Sequence, residues 1–163
     1  MLTQEVASLV HFIDALELGI VKRYFGEVPE GFAVPSIYYP TPEIDNRGFS
    51  TGSYEKVSVI FLKVYDSTSV GSNAIAQKIV DSIMQAKRNI PFYNNEGSPE
   101  NGSFRVYDLE TRNIDAGVTQ IEISYKNKIP YVEPEQPKAD NIYIDGLPTN
   151  ILVEEDDEDV TEK

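Results

Sequence analysis

Several residue types that carry chemistry in proteins are absent or nearly absent from this sequence. It contains no cysteine and no tryptophan among its 163 residues, and His11 is its only histidine. The lack of cysteine excludes disulfide bonds, thiolate metal ligands and cysteine nucleophiles. With a single histidine, a metal site would have to be built mainly from carboxylates. No acidic or nucleophilic pattern surrounds His11, so we expect it to serve a structural role.

The sequence also lacks the motifs that mark common enzyme families and membrane proteins. No glycine-rich phosphate loop follows a predicted strand, and no serine or threonine has the context of a hydrolase nucleophile. No apolar run approaches the roughly 20 residues that a membrane-spanning helix needs, and the N-terminus lacks a basic region followed by an apolar one. A carboxylate pair for glycoside chemistry stays open, because distances between side chains are not visible in a sequence. We predict no enzyme activity, no cofactor, no metal and no contact with a membrane.

Negative charge is concentrated at one end of the chain. The sequence carries a formal charge of −13, and residues 133–163 hold eleven acidic residues and two lysines, a net charge of −9. An acidic chain is a poor match for nucleic acid, whose backbone is bound by clustered lysine and arginine. We therefore predict no specific nucleic-acid binding. The acids of residues 154–159 lack the ligand spacing of a calcium loop and predict a disordered, solvated tail.

The central stretch predicts a strand followed by an amphipathic helix. Residues 57–65 are rich in β-branched and aromatic types and are apolar at nearly every position, which is typical of a covered strand. A polar connector, residues 66–69, leads into a stripe of apolar residues at helical spacing: Ile75, Ala76, Ile79, Val80, Ile83, Ala86 and Ile90. Pro91 ends the helix because a proline disfavours helical geometry in the residue before it.

The N-terminal part of the chain predicts a second long helix and a short edge strand. Residues 3–24 carry a stripe of apolar residues at helical spacing, and Thr3 is a suitable N-cap. Residues 32–39 have the composition of a strand. Pro35 places that strand at an edge or at its own first residues, since proline cannot donate a hydrogen bond to a neighbouring strand.

Two further segments predict an antiparallel pair beside the central strand. Residues 103–109 alternate between apolar and polar types, and residues 118–126 show the clearest two-residue period in the chain. The side chains predicted to share one face of the second strand are Thr119, Ile121, Ile123 and Tyr125. Residues 45–53 and 92–101 predict loops because they are rich in Gly, Asn and Ser.

The composition changes after Ile129. Three prolines within eight residues predict an extended linker, and two short apolar runs within residues 141–153 predict a small hairpin. We therefore divide the chain into a domain (residues 1–128), a linker with a hairpin arm (129–153) and an acidic tail (154–163). Because an isolated hairpin is marginally stable in water, we expect the arm to dock on its own domain or on a neighbouring subunit.

The order of these elements resembles the tail terminator proteins of long-tailed bacteriophages, also called tail completion or tail-to-head joining proteins. The resemblance covers about residues 3–128 and rests on three stretches, Ala33–Pro40, Glu55–Tyr65 and Ser72–Ile83. It implies an α+β fold, with a mostly antiparallel sheet of about four strands and two long helices packed on one face. The C-terminal extended arm is an addition to that domain. The family has no catalytic motif whose residues could be transferred to this chain.

The resemblance implies a structural role in a virion. A tail terminator caps the tail tube as a ring, here expected to be a hexamer, which stops tube polymerisation and joins the tail to the head and neck. Its implied partners are further copies of itself, the tail tube protein, the neck connector and, where the tail contracts, the sheath protein. The implied location is the head-proximal end of the virion tail, with assembly in the host cytoplasm.

Two other functions stay open from the sequence. The chain could be another virion component, such as a neck connector or a baseplate adaptor. It could also be an acidic inhibitor that mimics nucleic acid, which would require its acidic residues to lie on a rigid face.

We predict that loops and the arm, rather than the strands, contact partners. Loops can become ordered on binding, and tyrosine is enriched at protein interfaces. The predicted interface residues are Asp45, Arg47, Phe49 and Tyr54 around the first loop, Phe92, Tyr93 and Asn94 around the second, and Ile142, Tyr143 and Ile144 in the arm.

Overall fold

The computed structural model describes residues 3–94, 96–132, 142–144 and 147–149. The chain divides into two compact units, Met1–Tyr131 and Val132–Lys163. The described part of the first unit contains two helices, α1 (Gln4–Asp14) and α2 (Ser69–Gln85), and seven strands: β1 (Lys22–Phe25), β2 (Ser36–Tyr39), β3 (Glu43–Gly48), β4 (Ser53–Tyr65), β5 (Asn89–Tyr93), β6 (Pro99–Asp115) and β7 (Val118–Pro130). In the second unit, β8 (Ile142–Ile144) pairs antiparallel with β9 (Leu147–Thr149).

The strands of the first unit form one curled, mixed sheet around β4 and β7. These two strands pair antiparallel along their full lengths, from Ser53 opposite Pro130 to Tyr65 opposite Val118. Along the other edge of β4, β3 pairs with its first half and β2 with its end, while β1 runs parallel to β2. On the far side of β7, the second half of β6 pairs with β7 and its first half pairs with β5.

The predicted fold class is wrong. The sequence predicted about four strands and two long helices, whereas the described part of the first unit has seven strands and helices of 11 and 17 residues. The largest error concerns residues 3–24, because α1 ends at Asp14 and β1 begins at Lys22. Between them Glu17 and Gly19 have φ values of 51° and 71°, which interrupt a right-handed helix. Leu16 and Ile20, which belong to the predicted stripe, still pack against the core. Their apolar character therefore predicted burial correctly, whereas the helix predicted from their spacing does not extend that far.

The core lies between the two helices and one face of the sheet. The central strands contribute Ile60, Leu62, Val64, Ile121 and Ile123, and the helices contribute Val6, Leu9, Ile13, Ala76, Ile79 and Ile83. Fully burying one large aliphatic side chain stabilises a protein by about 1.5–3 kcal/mol. The other face of β4 carries Val59 and Phe61, which are half-buried. The sheet therefore has one face that packs the core and one face that is only partly covered by the described residues.

Both helices begin at threonine caps. The Thr3 hydroxyl accepts a hydrogen bond from the Val6 amide at 3.4 Å, and the Thr68 hydroxyl accepts one from the Gly71 amide at 3.0 Å. Each bond satisfies an amide that the helix itself leaves unpaired. The predicted cap at Thr3 is confirmed.

Tyr39 buries a hydroxyl group that has no hydrogen-bond partner among the described residues. The residue is 1% exposed, and this burial raises the pKa of its hydroxyl group. A buried, unpaired hydroxyl costs about 1–3 kcal/mol. We therefore expect Tyr39→Phe to raise the free energy of unfolding at neutral pH, as measured by urea denaturation.

The same substitution should also change the stability at alkaline pH. Because the pKa of Tyr39 is higher in the folded state than its ordinary value of 10.0, its contribution is complete below pH 10 and is lost as the pH rises further. The loss is about 1.4 kcal/mol per pH unit. Tyr39→Phe should remove it, while Tyr65 and Tyr125, whose pKa values burial also raises, keep their own contributions. Identical slopes of stability between pH 10 and 11 for wild type and variant would refute this explanation.

Candidate functional site

One end of the sheet is a three-stranded surface that we call the β-extension. It consists of β3, the beginning of β4 (residues 53–57) and the end of β7 with Tyr131 (residues 126–131). All six residues of β3 are exposed, and the first four residues of β4 are only half-buried. The ladder between β6 and β7 begins at Val106 opposite Tyr125, so β6 does not pair with β7 along the β-extension. These strands are therefore held mainly by backbone hydrogen bonds and lie open to a partner.

The tip of the β-extension is the turn Phe49–Gly52 between β3 and β4. The Ser50 amide donates to the Ser53 carbonyl at 2.9 Å, and the Ser50 hydroxyl accepts from the Gly52 amide at 3.2 Å. The Tyr131 amide donates to the Gly52 carbonyl at 3.0 Å, which ties the end of β7 to the tip. The predicted loop over residues 45–53 is therefore shorter than expected. β3 gave no apolar alternation in the sequence because both of its faces are exposed.

One face of the β-extension carries alternating charges. The cross-strand rows on this face are Arg47–Glu55–Lys128 and Asp45–Val57–Lys126. Arg47 Nε lies 2.7 Å from Asp45 Oδ2, and Lys126 Nζ lies 3.4 Å from Glu55 Oε2. The hydrogen bond to Asp45 raises the pKa of Arg47. Exposed ion pairs of this kind add little to folding stability, so these charges can exchange partners at low cost.

Aromatic rings are interleaved with these charges. Phe49 is 53% exposed at the tip, and Lys128 Nζ lies 4.0 Å from the centre of its ring. Tyr107 of β6 is also exposed, with Lys126 Nζ 4.5 Å from its ring centre. Beside the tip, the rings of Tyr54 and Tyr131 are 5.5 Å apart. Exposed aromatic side chains are enriched at protein–protein contacts.

A shallow recess of about 230 Å³ lies between β3, β4 and Tyr107. Val57 and Val59 line it together with the charged side chains of Glu43, Asp45 and Arg47. This volume is below the range of about 300–1,000 Å³ that is common for small-molecule sites. In the described ranges, no three His, Asp or Glu side chains come together as a metal site would require. The recess therefore suits a side chain of a partner protein.

The structure brings together four of the ten predicted interface residues. Asp45 and Arg47 lie on β3, Phe49 forms the tip, and Tyr54 lies on β4 opposite Gly48. The same surface also contains Tyr107, Lys126, Lys128 and Tyr131, which were not among the ten predicted interface residues. Lys126 and Lys128 continue the two-residue alternation of the preceding apolar strand with exposed charges. This pattern was the sequence signal that could have identified them. That these residues contact a partner stays a prediction.

Phe92, Tyr93 and Asn94 lie at and just beyond the end of β5 and are half-buried. The Phe92 ring lies 5.8 Å from the Phe104 ring, and the Tyr93 ring is stacked on His11 at 5.7 Å. The Asn94 side-chain oxygen accepts hydrogen bonds from two backbone amides of the following turn, at 3.0 and 2.9 Å. The described contacts of these residues are thus internal, and their role at an interface stays a prediction.

The remaining three predicted residues, Ile142, Tyr143 and Ile144, form β8. They pair with β9 from Ile142 opposite Thr149 to Ile144 opposite Leu147. Their side chains lie outside the described part of the chain, as do residues 133–141 of the predicted linker and the predicted acidic tail. Ile129 and Pro130, at the start of the predicted linker, belong to β7 instead. Neither α1 nor α2, the helices of the described ranges, is long and apolar enough to cross a membrane.

Comparison with known proteins points to phages. No family model matches the sequence. The phage-like element PBSX protein XkdJ of Bacillus subtilis (strain 168) is 28% identical over 122 residues, which cover 75% of this chain and 84% of XkdJ. The protein YqbJ of the same strain is 25% identical over 139 residues, which cover 85% of this chain and 94% of YqbJ.

Among solved structures, a chain from the virion of a native gene transfer agent particle has a TM-score of 0.47 and 12% identity. The match covers 77% of this chain and 94% of that chain. The similarity to XkdJ confirms the relationship to phage proteins that the sequence predicted.

Proposed function

We propose that this protein is a structural subunit of a phage-type tail, and that a ring of its copies caps the head-proximal end of the tail tube. The phage setting is supported by XkdJ, which is similar over 75% of this chain and is named as a protein of a phage-like element. The tail-cap role comes from the resemblance of the stretches Ala33–Pro40, Glu55–Tyr65 and Ser72–Ile83 to tail terminators. The observation that carries the proposal is the β-extension, an exposed surface of charged and aromatic residues attached to a well-packed core.

A ring that caps a tube needs several separate contact surfaces on each subunit. Neighbouring copies must meet through two different patches so that the ring closes, and a third patch must face the tube. The β-extension offers a strand edge along β3 and an aromatic tip at Phe49, which are different surfaces. We assign the tip, with Tyr54 and Tyr131, to contact with the tube protein.

The proposed function requires no catalysis. The small recess at Tyr107 offers space for a side chain of a partner protein. We further propose that residues 1–128 form the ring and that the arm, including Ile142, Tyr143 and Ile144, contacts a neighbouring subunit or the neck. The virion is the proposed location.

The direct experiment adds the purified protein to tail tube subunits that are polymerising. We expect tube growth to stop, and gold-labelled protein to appear at one end of each tube in negative-stain images. Tubes that grow to the same length with and without the protein would refute capping. Labelled protein along the tube wall or only at a baseplate would assign the chain to another virion component.

A further inference from the structure

We propose that neighbouring copies of this chain join into one continuous β-sheet, in which β3 of one copy adds antiparallel to the outer edge of β6 of the next copy. This inference rests on the proposed ring function and names the contact that would build the ring. Strand edges, strand directions, charges and cross-strand pairs support it independently.

Residues 43–48 of β3 and residues 109–114 of β6 each have an outer edge that no other strand of the described ranges pairs with, whereas Val106 and Tyr107 of β6 already form hydrogen bonds with Arg88. In the described ranges, β3 pairs only with β4, and the second half of β6 pairs only with β7. Each outer edge therefore presents unpaired backbone amides and carbonyls, which form a template for an added strand. The two edges lie on opposite sides of the sheet and differ in sequence. A contact between them is heterologous, which is the type that can close into a ring.

The strand directions suit this contact. β3 is antiparallel to β4, β4 to β7, and β7 to β6. It follows that β3 and β6 of one copy run in opposite directions. A second copy that is placed beside the first by rotation keeps the same strand directions, so its β3 meets β6 in an antiparallel orientation. The ladder can form without reversing the second copy.

One register of this ladder pairs opposite charges twice. It places Asp45 opposite Arg112 and Arg47 opposite Glu110 of the next copy. Glu110 of β6 lies opposite Glu122 of β7, and Glu122 lies opposite Phe61 of β4. In the same way, Arg112 of β6 lies in the same cross-strand row as Lys63 of β4. Phe61 and Lys63 share a face of β4 with Val57, the residue opposite Asp45, because side chains alternate along a strand. All four charged side chains therefore lie on one face of the joined sheet.

Glu110 and Glu122 carry like charges on neighbouring strands, and a positively charged side chain from another copy would offset their repulsion. Like charges directly opposite each other destabilise a pair of strands. None of the three ion pairs among the described residues includes Glu110, Glu122 or Arg112. Arg47 of a neighbouring copy would lie beside both glutamates. Asp45, which now pairs with Arg47 of its own copy, would then pair with Arg112 of the neighbouring copy.

The register also fits a closed arrangement. In this register, the cross-strand row that contains Val57 in one copy lies level with the row that contains Lys63 in the next copy. Neighbouring copies are therefore shifted along the strand direction by about six residues, or roughly 20 Å. Each copy contributes four strands, β3, β4, β7 and β6, to the joined sheet. At a spacing of about 4.8 Å between strands, equivalent positions in neighbouring copies lie roughly 19 Å apart across the strands. The strands would then tilt by about 45° from the ring axis, at the upper end of the range for closed sheets.

Engineered cysteines test the register, because the natural chain has none. In this register Asn46 lies opposite Thr111, so we expect Asn46→Cys with Thr111→Cys to form disulfides between copies under mild oxidation. The product should be a ladder of covalent multimers that ends at the size of the ring. The matched control, Asn46→Cys with Asn113→Cys, is two residues out of register and should cross-link at least ten times more slowly.

Charge reversals test the pairing by a second route. Arg47→Glu and Glu110→Arg should each weaken assembly at least tenfold when tested alone. An equimolar mixture of the two variants should assemble like the wild type, because alternating copies then place opposite charges at every contact. Lys78→Glu on α2 and Glu30→Arg, which make the same charge changes at exposed positions away from both edges, should have no effect.

The outcomes separate this inference from the proposed function. A wild-type ring that gives no disulfide ladder and tolerates both reversals would overturn the β3–β6 contact and leave the capping function intact. A disulfide from position 46 to the tube protein instead of to another copy would also overturn it. Wild-type protein that forms no ring, either alone or on tube ends, would overturn the proposed function itself.

Discussion

Replacing Gly117 by alanine is expected to lower the free energy of unfolding by about 3 kcal/mol or more, although it adds a single methyl group. Gly117 has a φ of 71°, a left-handed conformation that costs other residues about 1–2 kcal/mol. A Cβ atom built at this position would overlap the backbone carbonyl oxygen of Asp66. Because that oxygen belongs to the backbone, it cannot move aside as a flexible side chain would.

The cost is large because Gly117 joins two turns of the sheet. The Asp66 amide donates to the Gly117 carbonyl at 2.9 Å, and the Gly117 amide donates to the Ser69 hydroxyl at 3.0 Å. Next to them, the hydroxyl groups of Ser72 and Thr119 form a buried hydrogen bond of 2.9 Å. Each such bond contributes about 1 kcal/mol. Separating the turns would therefore weaken the attachment of α2 to β7.

Gly26→Ala is the matched control. Gly26 has a similar φ of 76°, but a Cβ atom there would have no neighbour within 4 Å among the described atoms. We expect the free energy of unfolding of this variant to fall only by the cost of the left-handed backbone conformation, about 1–2 kcal/mol. Urea unfolding of both variants measures the difference. Equal losses would show that the approach to Asp66 does not matter.

The second large effect concerns the tip of the β-extension. We expect Phe49→Ser to weaken binding to the tail tube at least tenfold while leaving the free energy of unfolding within about 0.5 kcal/mol of the wild type. Phe49 is 53% exposed and contacts Lys128 rather than the core. Exposed aromatic residues at the centre of an interface often contribute more than 1.4 kcal/mol each, which is a factor of ten in affinity.

Val70→Ser is the matched control for this prediction. Val70 is 81% exposed on α2, so its replacement removes an exposed apolar side chain from a different surface. Co-sedimentation with preformed tubes measures binding, and urea denaturation measures stability. If Val70→Ser weakens binding as much as Phe49→Ser, the tip is not the contact with the tube.

The parts of the fold that follow from the sequence are those with a one-sided apolar pattern. Residues 118–126 alternate strictly, and the structure buries Thr119, Ile121, Ile123 and Tyr125 as this pattern predicted. The helix after the central strand is confirmed as α2, but the prediction that it ends at Pro91 is wrong. It ends at Gln85, and Pro91 lies within β5, which begins at Asn89. In these segments burial alone dictates which residues must face the core.

Other parts of the fold have no such pattern. β3 is exposed on both faces, and most of β6 is exposed as well, so neither shows its full length as a strand in the sequence. Their backbone hydrogen bonds to β4 and β7 stabilise them, and such bonds leave no trace in side-chain type. The candidate site depends on these strands. The row Arg47–Glu55–Lys128 depends on how the strands align with each other. It places Glu55 opposite Lys128, which lies 73 positions later in the sequence.

We propose that this protein closes the head-proximal end of a tail. The most direct measurement is immunogold labelling of purified particles that contain the protein, with the label counted at the neck, along the tail and at the distal end. We predict label at the junction of tail and head, in a number that matches a ring. Label confined to the distal end or the capsid, or particles that lack the protein, would contradict the claim.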